Sequence, residues 1–120
     1  MTAPLVWLLL TALGIIAPTA PSIEPWEGKP LLVVTRPQQP VTGSPVTVIV
    51  AAVPKSAGKV NVVADETIVR AQRRPSGVWQ ATIVAPAAGP LSLRVRFTLN
   101  GTRYEAQGGI VLVAPAASGG

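Results

Sequence analysis

The sequence predicts an all-β protein, a seven-stranded antiparallel β-sandwich preceded by one N-terminal apolar, transmembrane helix. Three observations carry that reading. From Leu31 onward the chain breaks into short runs rich in Val, Ile and Leu. Turn-forming clusters separate them, drawing on 13 Pro and 11 Gly in 120 residues. No apolar spacing of helical period competes with these runs. The length suits one domain.

The predicted strands cover residues 31–35, 46–53, 59–64, 67–71, 78–84, 91–99 and 102–113. Between them lie residues 37–40, 42–45, 54–58, 74–77 and 86–90, whose Pro and Gly either break a ladder or fix φ, so these are the corners. Asp65-Glu66 reads as a further turn.

The clearest strand is residues 91–99, where Leu91, Leu93, Val95, Phe97 and Leu99 share one face and Ser92, Arg94, Arg96 and Thr98 the other. Asn100-Gly101 follows, the dipeptide favoured in a two-residue type I′ hairpin because both positions need φ above zero. That turn fixes the register. Leu99 should face Thr102, Thr98 Arg103, Phe97 Tyr104, Arg96 Glu105 and Val95 Ala106, which places an aromatic pair inside and an opposite-charge pair outside. The same parity, continued, points Ile110 and Leu112 inward, with Gly108-Gly109 at the place for a bulge. Trp79 alternates with Ala81 and Ile83 and is expected to fill the centre of the sandwich. Residues 46–53 alternate weakly, so either both faces are covered or the outer one meets the anchor, lipid or a partner.

Three stretches carry a resemblance to a known family: the Pro-Val-Thr-Gly-Ser-Pro-Val-Thr-Val run at residues 40–48, the Gly-Val-Trp-Gln-Ala-Thr opening at residues 77–82, and the closing hairpin. Residues 31–114 resemble the immunoglobulin-like or fibronectin type III-like modules of exported bacterial proteins. The resemblance implies an immunoglobulin-like sandwich. It transfers no functional residue, since such modules host unrelated activities, and the chain has no Cys for an inter-sheet disulfide.

No charged side chain precedes Glu24, and Leu5, Trp7, Leu8, Leu9, Leu10, Leu13, Ile15 and Ile16 form a dense apolar segment. Its strongly apolar part is the length of a secretory signal core, and it reaches a full span only when residues 2–21 are counted together. Two readings stand: an uncleaved membrane anchor over residues 1–21, or a signal peptide removed near Ile23. Against cleavage, the segment has no Lys or Arg before it, and Pro18 and Pro21 follow Ala17 and Ala20. In both readings the domain lies on the periplasmic or extracytoplasmic side. Residues 22–30 read as a Pro-rich tether, with Trp26 either in the interfacial belt or packed on the domain, and residues 115–120 as a flexible tail.

The residue inventory excludes most chemistry. His and Cys are absent and Met1 is the single Met, which removes the usual general base, thiolate nucleophile and soft metal ligands. No catalytic, cofactor or metal residue is therefore expected, and Gly108-Gly109 opens no helix that would cradle a phosphate. The patterned polar feature is basic: Arg94, Arg96 and Arg103 from the hairpin, and Arg70, Arg73 and Arg74 before Pro75. Such a face either protects edges and keeps the domain soluble or docks on anionic headgroups or an acidic partner. One Phe and one Tyr make no stacking platform for nucleic acid, and no small-molecule substrate is expected.

The functional expectation is a non-enzymatic, membrane-anchored accessory subunit whose periplasmic sandwich docks on and stabilises a larger membrane complex, a respiratory or photosynthetic one being a plausible host. The alternative is a secreted binding module, its signal removed, that recognises an envelope polymer or an acidic partner.

Overall fold

The computed structural model describes residues 22–116. The apolar segment with Leu5, Trp7, Leu8, Leu9, Leu10, Leu13, Ile15 and Ile16 lies outside those residues, as do residues 117–120. Among the described residues no helix is long and apolar enough to cross a membrane.

The described chain is a two-sheet β-sandwich with nine strands, not seven. They are β1 (Ile23–Pro25), β2 (Leu32–Arg36), β3 (Pro45–Ala51), β4 (Gly58–Ala64), β5 (Thr67–Arg70), β6 (Gln72–Arg73), β7 (Trp79–Val84), β8 (Gly89–Leu99) and β9 (Thr102–Val113). One sheet has the order β1-β9-β8-β4-β5 and the other β2-β3-β7-β6. The seven predicted runs all form strands, and both additional ones are short pieces that alternation cannot reveal. β1 lies in the stretch read as a tether and adds to the edge of β9 in parallel, Ile23 opposite Arg103 and Pro25 opposite Glu105. β6 arises because the β5 run changes sheets: Ala71, almost fully buried, donates its N–H to Val60 O at 2.9 Å, and the next residue, Gln72, pairs with Gln80 of β7.

The core is aliphatic. Val46, Val48 and Val50 of β3, with Ala81 and Ile83 beside them on β7, face Val60 and Val62 of β4 and Leu91, Leu93, Val95 and Phe97 of β8. Period-two alternation explains it: β3 and β8 bury every second residue, so each presents one continuous apolar stripe to the other sheet. Trp79 shares the inward face with Ala81 and Ile83, but it is half-buried and lies beside Ala52, Val53 and Lys55 at one end of the sandwich. Trp79 is the first residue of β7, opposite Val50 near the end of β3, so its place in the strand puts it at the end of the sandwich and leaves the centre to Leu93 and Val95 of β8.

The β8–β9 hairpin has the register the turn dictates: Leu99 opposite Thr102, Phe97 opposite Tyr104, Arg96 opposite Glu105 and Val95 opposite Ala106. Asn100 and Gly101 both have positive φ, 52° and 81°. Beyond Ala106 the parity reverses. Arg94 pairs with Gln107 and Leu93 with Gly109, so Gly108 is the extra residue of a β-bulge, and the inward positions become Val111 and Val113. Ile110 and Leu112 therefore point outward, 71% and 63% exposed, contrary to the uninterrupted alternation. One inserted residue exchanges the two faces of everything after it.

The bulge depends on glycine. A Cβ at Gly108 would stand 3.0 Å from Leu93 O and 3.1 Å from Leu93 C, backbone atoms that cannot swing aside. Gly109 has φ of +90°, which side chains on L residues disfavour. Gly108→Ala is therefore expected to cost about 1–3 kcal/mol, read as a lower urea midpoint at unchanged slope. An unchanged midpoint would show that the strands part there without cost.

Candidate docking faces

The five-stranded sheet turns its outer face to solvent, and cross-strand pairing assembles that face from four strands. Arg70 of β5 lies opposite Asn61 of β4, Asn61 opposite Arg96 of β8, and Arg96 opposite Glu105 of β9, one polar row across the sheet. The adjacent row runs Ile68, Val63, Arg94, Gln107. Val63 is 1% exposed yet lies outside the inter-sheet core, between Ile68 and Arg94 in this row.

Glu105 organises the row. Arg96 donates from Nε to Glu105 Oε2 at 2.8 Å, and Arg94 from Nη1 to Oε1 at 3.2 Å. Arg94 Nη2 also donates to Asp65 O at 2.9 Å, tying the β4–β5 turn to β8. The Arg96 hydrogen bond, opposed by partial burial and aided by the charge of Arg94, holds the Glu105 carboxyl below its ordinary value. A carboxyl with a lowered folded-state pKa contributes stability that is fully present above the unfolded-state value, near 4.5, and disappears as the pH falls through the folded-state value. Glu105→Gln is therefore expected to cost about 1 kcal/mol at neutral pH, with the gap to the parent closing on acidification. Denaturation curves at neutral and acidic pH check this, and a gap that persists in acid would assign the loss to packing.

The six arginines singled out in the sequence are thus not one surface. Arg94 and Arg96 share Glu105, and Arg70 and Arg103 extend the same outer face, Arg103 opposite Thr98. Arg73 and Arg74 lie around the edge on the second sheet's side, Arg73 paired with Trp79 and Arg74 closing a turn with its N–H on Val78 O. Arg70 and Arg74 meet across a depression with Gln72, Gln80 and Thr82. Sequence reasoning missed Lys59, which lines a depression of about 430 Å³ with Asn61, Arg96, Thr98 and Arg103. Gly58 pairs with Thr98 and the register slips before Asn61, with Lys59 at φ of 51°. That irregularity carries Lys59 toward the hairpin and has no alternation signal.

The four-stranded sheet shows a different outer face. Leu32 and Val34 of β2 lie beside Ala51 and Ile49 of β3, and Val84 of β7 lies beside Pro45. Leu32 is 60% and Val84 67% exposed, while Ile49 is half-buried. This is the face that the weak alternation of residues 46–53 marks. Trp26, the remaining anchor candidate, is half-buried on the opposite sheet, edge-on to Phe97 and Tyr104 with ring centroids 5.1 and 5.2 Å away.

Among the described residues no group of three His, Cys, Asp or Glu side chains is placed to hold a metal ion. A groove of about 960 Å³ opens between β5 and β7, lined by Asp65, Glu66, Thr67 and Thr82 together with Val69 and Ile83. Its two acids are neighbours on a tight turn, and it contains no nucleophile–base pair. Comparison with known proteins adds no relative: no family model matches the chain, and no characterised protein matches it significantly.

Proposed function

We propose that the chain is a non-enzymatic, membrane-anchored accessory subunit whose extracytoplasmic sandwich docks on and stabilises a larger membrane protein complex. The observation that carries this reading is an apolar patch on the outer face of the four-stranded sheet, where Leu32, Val34, Ile49 and Ala51 of β2 and β3 stand together, with Thr47, Gln80 and Thr82 beside them, at positions a solvated sheet fills with polar residues. Contiguous exposed apolar surface marks a contact with protein or membrane. The apolar residues 1–21 supply the anchor in this reading. The immunoglobulin-like reading is supported by the strand order: with β2 to β9 taken as A, B, C, C′, D, E, F and G, the sheets run A-B-E-D and G-F-C-C′, with β1 added beside G.

Extraction of native membranes in mild detergent followed by size-exclusion chromatography tests the proposal. The chain is expected to elute in a particle far larger than its own 12.4 kDa. Val34→Glu, on the exposed outer face, is expected to change stability by only about 0.5 kcal/mol while releasing the chain from that particle. A parent chain that elutes alone would contradict the proposal and favour the secreted binding module, and a Val34→Glu chain that stays in the particle would remove this face from the contact.

A further inference from the structure

Cations of the domain gather at one end. Parallel pairing puts Ile23 opposite Arg103 at the start of β9, beside the Asn100-Gly101 turn. Antiparallel pairing brings Gly58 opposite Thr98, Leu32 opposite Ala51 and Val50 opposite Trp79. Chain entry at Ile23, the 52–57 link, the 74–78 turn and the 100–101 turn therefore lie at one end of the sandwich. That end carries Lys55, Lys59, Arg73, Arg74 and Arg103, all exposed. At the opposite end the β4–β5 turn carries Asp65 and Glu66, and Arg36 closes β2. Glu105 is taken by Arg94 and Arg96, so among the described residues none of the five entry-end cations has an ion-pair partner. The nearest acids, Glu24 and Glu27, lie on and just after β1.

We propose that this entry end seats on anionic phospholipid headgroups, which outnumber Glu24 and Glu27 as counter-charge to the five cations and set the domain's orientation on the bilayer. The inference rests on the anchored reading of residues 1–21. Chain reach supports it: with residues 1–21 as the anchor, Ser22 alone separates it from Ile23, a reach of about 4 Å per residue, so the Ile23 end stays close to the membrane surface. Headgroup phosphates draw cations within a Debye length, each Lys or Arg contributing about fivefold to the bound population. Positive charge gathered at one end is what such a surface orients. The Lys59, Arg96 and Arg103 depression, with the Asn61 amide and Thr98 hydroxyl, has the donors for one phosphodiester oxyanion.

The test uses the full chain, which has no Cys of its own. Single nitroxide labels at Ser76→Cys, in the 74–78 turn, and at Ala88→Cys, at the opposite end, are compared in phosphatidylcholine vesicles with and without phosphatidylglycerol. A relaxing metal chelate attached to lipid headgroups reports proximity. The Ser76 label is expected to relax strongly in vesicles containing phosphatidylglycerol, the Ala88 label weakly, and the contrast to fade in high salt. The variant K55E/K59E/R103E is expected to lose the contrast, since three such residues together are worth about a hundredfold, while its circular dichroism stays unchanged. Equal relaxation of the two labels, or a contrast indifferent to phosphatidylglycerol or to charge reversal, would overturn the proposal, the latter pointing to a protein counterpart. Flotation separates the anchor from the seat. A chain that floats on neutral vesicles without phosphatidylglycerol-dependent contact keeps the anchor and loses this proposal. One that floats only with phosphatidylglycerol and shows the contrast loses the anchor and keeps the proposal.

Discussion

Phe97→Ala is expected to lower the stability of the domain by about 3–5 kcal/mol, the largest loss from any single truncation. Phe97 is the single Phe of the chain and is fully buried in a core of mainly Val, Ala and Leu, so its removal leaves a cavity that such short neighbours cannot close. Its ring also lies 5.1 Å from that of Trp26 and 5.8 Å from that of Tyr104, contacts that Ala forfeits together. Domains of this size are stable by roughly 5–15 kcal/mol, so the variant approaches unfolding at physiological temperature. Urea denaturation gives the number directly. Phe97→Leu, which keeps most of the volume, should cost about 1.5 kcal/mol or less. A loss below about 1 kcal/mol on truncation to Ala would mean that the site is not close-packed.

The next largest effect is expected for Trp26→Ala, about 2–3 kcal/mol, just below the roughly 3–5 kcal/mol of a fully buried aromatic because the ring is half-buried. Trp26 stands edge-on to Phe97 and Tyr104, both at an interplanar angle of 74°, and its Nε1–H donates to Lys29 O at 2.9 Å. A side chain on Gly28 would run into the indole, so the Trp26–Lys29 turn closes around the ring. In a double-mutant cycle with Tyr104→Leu, the pair should couple by about 0.5–1.5 kcal/mol. This experiment also decides what Trp26 is for. A residue of the membrane interface would leave the unfolding midpoint in place and weaken only membrane association.

Much of the fold was legible in the residues because period-two alternation and turn chemistry are local. Residues 91–99 with Asn100-Gly101 specify register without knowledge of the rest of the chain, and the Phe97–Tyr104 and Arg96–Glu105 pairs occur where that register puts them. The same rule misplaced Ile110 and Leu112. It located the bulge at Gly108-Gly109 but not which residue would be extra, and that choice is made by the contact of Gly108 with Leu93 across the strand. β1 and β6 were invisible for a related reason. Three residues ending in Pro, and two after a sheet change, have no alternation to read, and they become strands only because β9 and β7 offer free edges.

The candidate faces were legible as residue types more than as places. Arg94, Arg96 and Arg103 share a strand face by parity alone, whereas joining Arg70 to them required the Asn61 pairing, and separating Arg73 and Arg74 required the sheet change at Ala71. Glu105 binding Arg94 as well as Arg96 follows from side-chain reach across a diagonal, which register does not contain. Lys59 entered through a local irregularity in β4. The apolar patch of Ile49 and Ala51 on the outer face of β3 was marked by weak alternation, and β2 completes it with Leu32 and Val34.

The measurement that bears most directly on the anchored-subunit account is the intact mass of the native chain, recovered from its own membranes in mild detergent together with whatever co-elutes. The account predicts a mass that includes residues 1–21, found in the membrane fraction within a larger particle. A mass beginning near Ile23, found in the soluble fraction with the chain alone, would contradict it.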